Sequence, residues 1–446
     1  VDKPFRSPLT RYLDRSPDLV FSLYAVAAAF TAYFCMYAFR KPFLATSYED
    51  TELAIRLFGK SLDPKTIFAV SQIIGYTTSK YLGMKFCSEA HRDRLWLYLI
   101  LLIMVAWNTL FLFAVLPPNL KILAIFCNGL PLGLIWGMVV RYLEGRHTSE
   151  LLLAGLSCSY ILASGEVKSV GKWLMDDVGV SEFWMPFFTG ALFLTPFFLA
   201  VFLLSRLPPP TEDDIRLRSE RNTMGRSERW KFLKTFLPGM IVLCLAYFFL
   251  TAYRDFRDIY QNELFGEMGI TDSSAFSRTE RPIAFGVMAS LIVLYFIRNN
   301  RLGLIGAYLI MLAGLTLMGG STLLFQAGQI GGETWMILSG LGAYLAYVPY
   351  GSVLFDRTIA YTHFAGTAVF AIYLTDAIGY TGSVGIQLFK DLFQAESSRL
   401  DFMLGFTNFM AILGFVLLLL SLLYFLRIKP LPTDPEQPAP EPDSPS

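Results

Sequence analysis

Twelve stretches of about 20 apolar residues follow one another along this chain, and a hydrocarbon interior admits one secondary structure for segments of that length. They lie near 19–40, 65–84, 95–116, 121–142, 150–173 and 184–205, then 235–256, 281–298, 302–326, 333–356, 364–390 and 402–427. Lipid offers no partner to backbone N–H and C=O groups, so each stretch must satisfy its own hydrogen bonds as a helix. The expected fold class is an all-α membrane protein with 12 transmembrane helices. Composition decides the same way: 54% of the 446 residues are hydrophobic and 16% are charged, where soluble domains carry about a quarter. A net charge of +1 gives no general affinity for nucleic acid, so basic residues inform only through their placement.

The longest polar insert, 206–234, opens on Pro208, Pro209 and Pro210 and carries Arg216, Arg218, Arg221, Arg226, Arg229 and Lys231. It divides the helices into two sixes. The expected organisation is an N-terminal half at 1–205, a cytoplasmic linker at 206–234, a C-terminal half at 235–427 and a disordered cytoplasmic tail at 428–446 rich in Pro, Glu and Asp. Cytoplasmic loops collect Lys and Arg. The insert, the amino terminus with Lys3, Arg6, Arg11 and Arg15, the loop with Lys85, Arg92 and Arg94, and the end with Arg427 and Lys429 are therefore placed on the inner side. The opposite loops are acidic or mixed, with Glu49, Asp50 and Glu52, then Asp176, Asp177 and Glu182, then Glu263, Glu267 and Asp272. An integral protein of the cytoplasmic (inner) membrane with both termini cytoplasmic is expected.

The opening segment has no apolar core with a cleavage site, so no signal peptide is expected. Cys35, Cys87, Cys127, Cys158 and Cys244 have neither CxxC nor metal-like spacing, and read as small helix residues without disulfide or metal. His91, His147 and His363 fall in or beside loops with no HExxH, HxxxxD or GxSxG constellation. Neither an enzyme nor a cofactor is expected.

AYFCMYAFR at Ala32–Arg40 returns as AYFFLTAYR at Ala246–Arg254 with a constant offset: Ala, Tyr, Phe, then Ala, an aromatic and Arg. Two copies of one unit, each with a cation at the equivalent place, can supply two arms of a site on the axis between halves. The first copy reads as a helix ending on its arginine.

An ionisable side chain near the bilayer centre costs about 2.5–3.5 kcal/mol on insertion scales, so each one wants an explanation. The candidates are Arg40, Lys80, Glu166, Lys168, Arg254 and Asp376. Arg40 could snorkel to the interface, but snorkelling does not require the shared AYF prefix at Arg254. Tyr33, Tyr37 and Arg40 fall on one helical face. Lys80 sits one turn after Tyr76 in a stretch that stays apolar to Phe86. Glu166 and Lys168 are two apart, do not face each other, and need different partners. Either could be a structural ion pair, or Glu166 could tune the cationic site or carry a proton. Asp376 is a lone acid that could orient a cavity cation, and Tyr350 and Tyr380 supply hydroxyls from the second half.

YAFRKPF (Tyr37–Phe43), GYTTSKYLG (Gly75–Gly83), AYR (Ala252–Arg254), YVPYG (Tyr347–Gly351), AGTA (Ala365–Ala368) and GYTG (Gly379–Gly382) resemble the organophosphate:phosphate antiporters of the major facilitator superfamily. GLIWGMVVRYLEGRHTSE (Gly133–Glu150) is similar to that family's fourth helix and following loop. The blocks are short, in order and spread over both halves. The resemblance implies a major facilitator fold that rocks about a midplane site and exchanges a small phosphorylated anion or phosphate, working as a monomer among membrane lipids. It implies that Arg40 and Arg254 grip the phosphate, that Lys80 assists, and that Tyr33, Tyr37, Tyr76, Tyr350 and Tyr380 line the cavity. The chain departs from the family's pattern in offering no His near 162–166, where Glu166 and Lys168 stand instead, and in placing Asp376 between AGTA and GYTG. A proton-coupled carrier of another organic anion, titrating Glu166 or Asp376, and a membrane sensor of phosphate esters are the alternatives.

Overall fold

The computed structural model describes residues 7–49, 51, 53, 55–89, 91–143, 149–209, 226–364 and 368–428. Asp50 and Glu52, His147, most of the insert with Arg216, Arg218 and Arg221, residues 365–367 of the AGTA block and the tail beyond 428 lie outside these. A short helix α1 (Pro8–Asp14) precedes the first half, which contains α2 (Asp18–Tyr37), α3 (Pro64–Glu89), α4 (Leu95–Val115), α5 (Pro118–Leu143), α6 (Ser149–Asp176) and α7 (Met185–Ser205). The second half contains α8 (Arg226–Ile259), the short α9 (Gln261–Glu267), α10 (Ala275–Tyr295), α11 (Asn300–Gln326), α12 (Gly332–Pro349), the short α13 (Phe355–Thr362), α14 (Ala368–Phe393) and α15 (Arg399–Arg427). Twelve of these are long, so the described residues form a helical bundle of two six-helix halves, with one short antiparallel β pair, Arg56–Leu57 against Lys60–Ser61, between α2 and α3.

Prolines decide where several helices stop or bend. The first repeat block does not end as a helix on Arg40: α2 stops at Tyr37, and Arg40 and Lys41 both donate their amides to the Tyr37 carbonyl, at 3.0 and 2.9 Å. Pro42, which opens a 3₁₀ turn over Pro42–Ala45, has no N–H with which to continue the ladder. The second block has no such proline, and α8 runs through Arg254 to Ile259. That helix starts at Arg226, earlier than the expected 235, and is broken at Phe236 (φ −113°, ψ 17°), two residues before Pro238. After Pro349, α12 widens into a π-turn at Tyr350–Leu354 before α13 continues.

Each half uses the same packing plan. In the first, α3 and α4 pack on α5, α2 packs on α6 and α7, and α4 packs on α7. In the second, α10 and α11 pack on α12, α8 packs on α14 and α15, and α11 packs on α15. These pairs correspond one for one by position within their halves. The halves meet along α6 with α10 and α3 with α14, which are again equivalent pairs. Eight helices are long and apolar enough to cross a membrane by composition alone; among the described residues α3, α6, α10 and α14 fall short. The reason is their position. They turn polar groups toward the opposite half, where partners exist, instead of toward lipid. Glycine brings helices together at the tightest places: a Cβ on Gly75 would strike the Phe126 carbonyl, and one on Gly129 would lie 2.7 Å from the Tyr76 amide nitrogen, so α3 and α5 meet backbone to backbone.

Candidate functional site

Three polar layers occupy the seam between the halves. The middle one is built on the repeat. Arg40 is 8% exposed, and its guanidinium lies over the Tyr76 ring at 3.9 Å and 5.8 Å from the Tyr37 ring. Its Nε has no hydrogen-bond partner, and no ion pair reaches it among the described residues. The backbone around it is tied down: Gln72 Nε2 donates to the Arg40 carbonyl (3.0 Å) and to Asn128 Oδ1 (2.8 Å), and Asn128 Nδ2 donates to the Ala106 carbonyl (3.1 Å). Three helices thereby fix the turn after α2. Arg254 stacks on Tyr347 at 4.1 Å and donates from Nη2 to Asp255 Oδ1 at 2.6 Å. Tyr37 lies within electrostatic reach of both guanidiniums, and Tyr380 within reach of both as well. Around them, Tyr33 meets Trp136 edge-on at 4.8 Å, Tyr76 meets Tyr380 across the halves at 5.8 Å, and Tyr247 stacks on Tyr347 at 5.1 Å. Faces of tyrosine rings favour cations while their hydroxyls remain for a ligand.

Toward the face where α2 begins and α15 ends, Lys80 Nζ donates to Asp376 Oδ2 at 3.2 Å and Tyr380 at 3.3 Å, and the Tyr247 hydroxyl donates to Asp376 Oδ1 at 2.7 Å. This pair crosses between the halves.

Toward the opposite face the polar contacts become dense. Asp258 accepts from Lys41 (2.5 Å), Lys168 (2.8 Å) and Ser164 (2.5 Å), and Lys168 also donates to Gln261 (2.5 Å). Lys65 donates to both Glu263 oxygens at 2.8 and 2.7 Å, and Thr66 and Tyr260 share a hydrogen bond of 2.5 Å. Arg399 pairs with Asp391 at 2.9 Å and reaches Asp63 at 3.5 Å. All of these except Arg399–Asp391 tie one half to the other, so in this state the face away from the start of α2 is sealed. Burial pushes the Glu263 carboxyl above the ordinary glutamate range, with the Lys65 charge opposing it.

The structure gathers Arg40, Arg254, Lys80, Tyr33, Tyr37, Tyr76, Tyr380 and Asp376 into one region. Tyr350 is at its edge, donating to the Leu243 carbonyl at 3.2 Å. Lys168 belongs to the sealed layer, and Glu166 faces away toward Arg281, which accompanies it at 2.5 Å and is half-exposed. Sequence reasoning passed over Asp255, Asp258, Lys41, Tyr247 and Tyr347. Asp255 and Asp258 had a legible signal, since they follow Arg254 within one turn of the same helix.

A sequence profile described as "Family of unknown function (DUF5690)" matches residues 42–428. No curated protein matches by sequence. Among solved structures, the D-xylose-proton symporter is similar over 93% of this chain and 98% of its own, with a TM-score of 0.59 and 14% identity. A mutant of the nucleoside transporter NupG covers 91% and 100%, with a TM-score of 0.58 and 13% identity. The xylose transporter XylE from E. coli covers 89% and 95%, with a TM-score of 0.58 and 15% identity. At these identities the likeness is one of fold: the chain has the major facilitator fold and is an integral membrane protein.

Proposed function

We propose that this chain, which belongs to the DUF5690 family of unknown function, is a secondary transporter that exchanges a phosphorylated organic anion, or phosphate, by alternating access. The observation that carries the reading is Arg40, a buried guanidinium without an acid partner among the described residues. Across the middle layer and the Lys80–Asp376 layer next to it, Arg40, Arg254 and Lys80 face Asp255 and Asp376, which among the described residues leaves one positive charge, on Arg40. An unpaired buried charge costs several kcal/mol, and a bound anion removes that cost. The guanidinium fork suits phosphate because it donates two hydrogen bonds in fixed geometry and stays charged at physiological pH.

The two arginines belong to opposite halves, so an anion bridging them draws the halves together. The loaded carrier then crosses more readily than the empty one, which yields exchange without leak. With the basic loops placed in the cytoplasm, the sealed face is external and the observed state awaits substrate from inside. In proteoliposomes preloaded with phosphate, labelled phosphate is expected to enter, and Arg40→Lys or Arg254→Lys to abolish entry because a point charge cannot replace the fork. Wild-type rates in either variant would sink the proposal.

The second reading is a proton-coupled carrier of another organic anion. Of its two candidate acids, only Asp376 stands in the region of the arginines. That reading expects uptake driven by an imposed pH gradient in vesicles without internal phosphate.

A further inference from the structure

The loop that joins α2 to α3 carries a two-residue hairpin that the anion grip does not use. Arg56–Leu57 pairs with Lys60–Ser61, and the Leu62 amide extends the stem by donating to the Ile55 carbonyl at 3.2 Å. The turn is Phe58-Gly59, with φ of 52° and 78°. Two-residue turns with both φ values positive favour Asn and Gly, which tolerate the left-handed region; a phenylalanine there is strained. Phe58 buries almost nothing in return, being 87% exposed, and Leu57 beside it is 36% exposed. A strained aromatic ring without an inner packing role calls for a partner outside the chain.

The place of the hairpin in the fold names that partner. Its stem is fastened to the other half: Lys60 Nζ donates to the Leu392 carbonyl, and the Asp63 amide donates to Asp391 Oδ2 at 3.1 Å. Tyr380 stands at the middle of α14, and Leu392 lies 12 residues beyond it, 392 less 380. That is about 18 Å along a helix. Half a hydrocarbon core is about 15 Å thick, and half a bilayer with its headgroups about 20–22 Å. The fastening therefore lies at the height of the lipid interface. Phe389 and Phe393, one turn apart on α14, are 44% and 68% exposed with ring centroids 5.5 Å apart, and Lys60 Nζ lies 6.0 Å from the Phe393 ring. The hairpin thus continues an aromatic surface that a membrane-spanning helix turns outward.

We propose that the hairpin tip, Leu57 and Phe58, is seated in the lipid interface of the leaflet on the sealed side, so that a loop of the first half is anchored both to the bilayer and to the end of α14. Apolar side chains gain from the boundary between headgroups and acyl chains through the area they bury. Lys60 is engaged by the Leu392 carbonyl, so the anchor asks for no particular headgroup charge. It is independent of what the protein carries.

The test uses the full-length protein in phosphatidylcholine liposomes, with Phe58→Cys introduced after the five native cysteines are changed to Ser. A bimane on that thiol is expected to be quenched by lipid carrying a nitroxide high on its acyl chain, and to be shielded from aqueous iodide. Iodide quenching equal to that of the free dye, with no effect of the nitroxide lipid, overturns the anchor. A second measurement needs no dye. The thiolate is the reacting form and an apolar boundary disfavours it, so the Phe58→Cys thiol is expected to react with a charged, water-soluble maleimide about tenfold more slowly than a Gln329→Cys thiol. Gln329 is exposed beyond the end of α11 on the same face, and each rate is normalised to the molecules reached after the liposomes are dissolved. Equal rates, the result if the tip stands in water or awaits a soluble protein, overturn the proposal. Phe58→Asn suits the turn and is expected to melt no lower than the wild type in detergent; a clear drop would show that the ring supports the fold from within, which also overturns it.

Discussion

Asp258 concentrates the charge logic of the protein in a single side chain. It accepts from Lys41, Lys168 and Ser164 at 2.5–2.8 Å, and all three donors belong to the other half. Removing one member of a buried pair costs about 3–5 kcal/mol because the partner is left charged and unpaired; here two lysines would be left. Asp258→Ala is therefore expected to loosen the sealed face, raising the labelling rate of a cysteine placed at position 66 from that side. Unchanged labelling would show that Lys65–Glu263 and Arg399–Asp63 hold the face without it. Asp376 makes the opposite case. It ties up Lys80 in the region of the arginines, so it competes with an incoming anion. Asp376→Asn should tighten phosphate binding roughly tenfold, the equivalent of about 1.4 kcal/mol, read by thermal stabilisation against phosphate concentration; weaker binding would mean that the acid orients Lys80 for the ligand. The charges at 40, 80, 254 and 376 were visible in the sequence because each interrupts an apolar run. That Asp258 would take the two lysines was not, since they lie 90 and 217 positions away along the chain.

At the level of elements, one repeated block produced two different backbones. Both copies reach their arginine after the same Ala-Tyr-Phe start, yet Pro42 stops the first helix at Tyr37 and nothing stops the second before Ile259. The turn so created lets Arg40 leave the helix axis and lie over Tyr76, a placement that a continuous helix with 100° between residues would not give. The α3–α5 contact beneath it depends on absent side chains. Gly129→Leu would drive a side chain into the backbone of Gln72 and Tyr76, the helix turn that holds the Arg40 carbonyl. Overpacking of this kind costs about 1–3 kcal/mol or more. A lowered melting temperature together with lost phosphate exchange is the expected outcome, and an unchanged melting temperature would show that the helices can part without cost.

The molecule as a whole is two copies of one packing plan joined by four of its most polar long helices, α3 and α14 on one side, α6 and α10 on the other. Among the described residues, polar contacts between the halves cluster at the face away from the start of α2, so that face must part for a ligand to leave that way. Cysteines at positions 65 and 263, in place of a lysine and a glutamate whose atoms come within 2.7 Å, can be bridged by a short bismaleimide. Bridging is expected to stop phosphate exchange while leaving ligand-induced stabilisation intact. Exchange that survives bridging would show that the halves do not rock about this seam.

The sequence by itself determined that the chain lives in a bilayer, that it forms twelve helices in two sixes, and which ionisable residues are out of place among apolar neighbours. These are local properties: an apolar run of span length has one way to satisfy its backbone, and a charge inside such a run stands out wherever the run goes. Only the tertiary structure decided who pairs with whom. It gave Lys168 to Asp258 and Glu166 to Arg281, put Asp376 against Lys80 and, among the described residues, left Arg40 without a counter-charge and Gln387 without a hydrogen bond. Pairing depends on which helix faces meet across the seam, and that follows from the packing of the two halves, to which no short stretch of sequence holds the key.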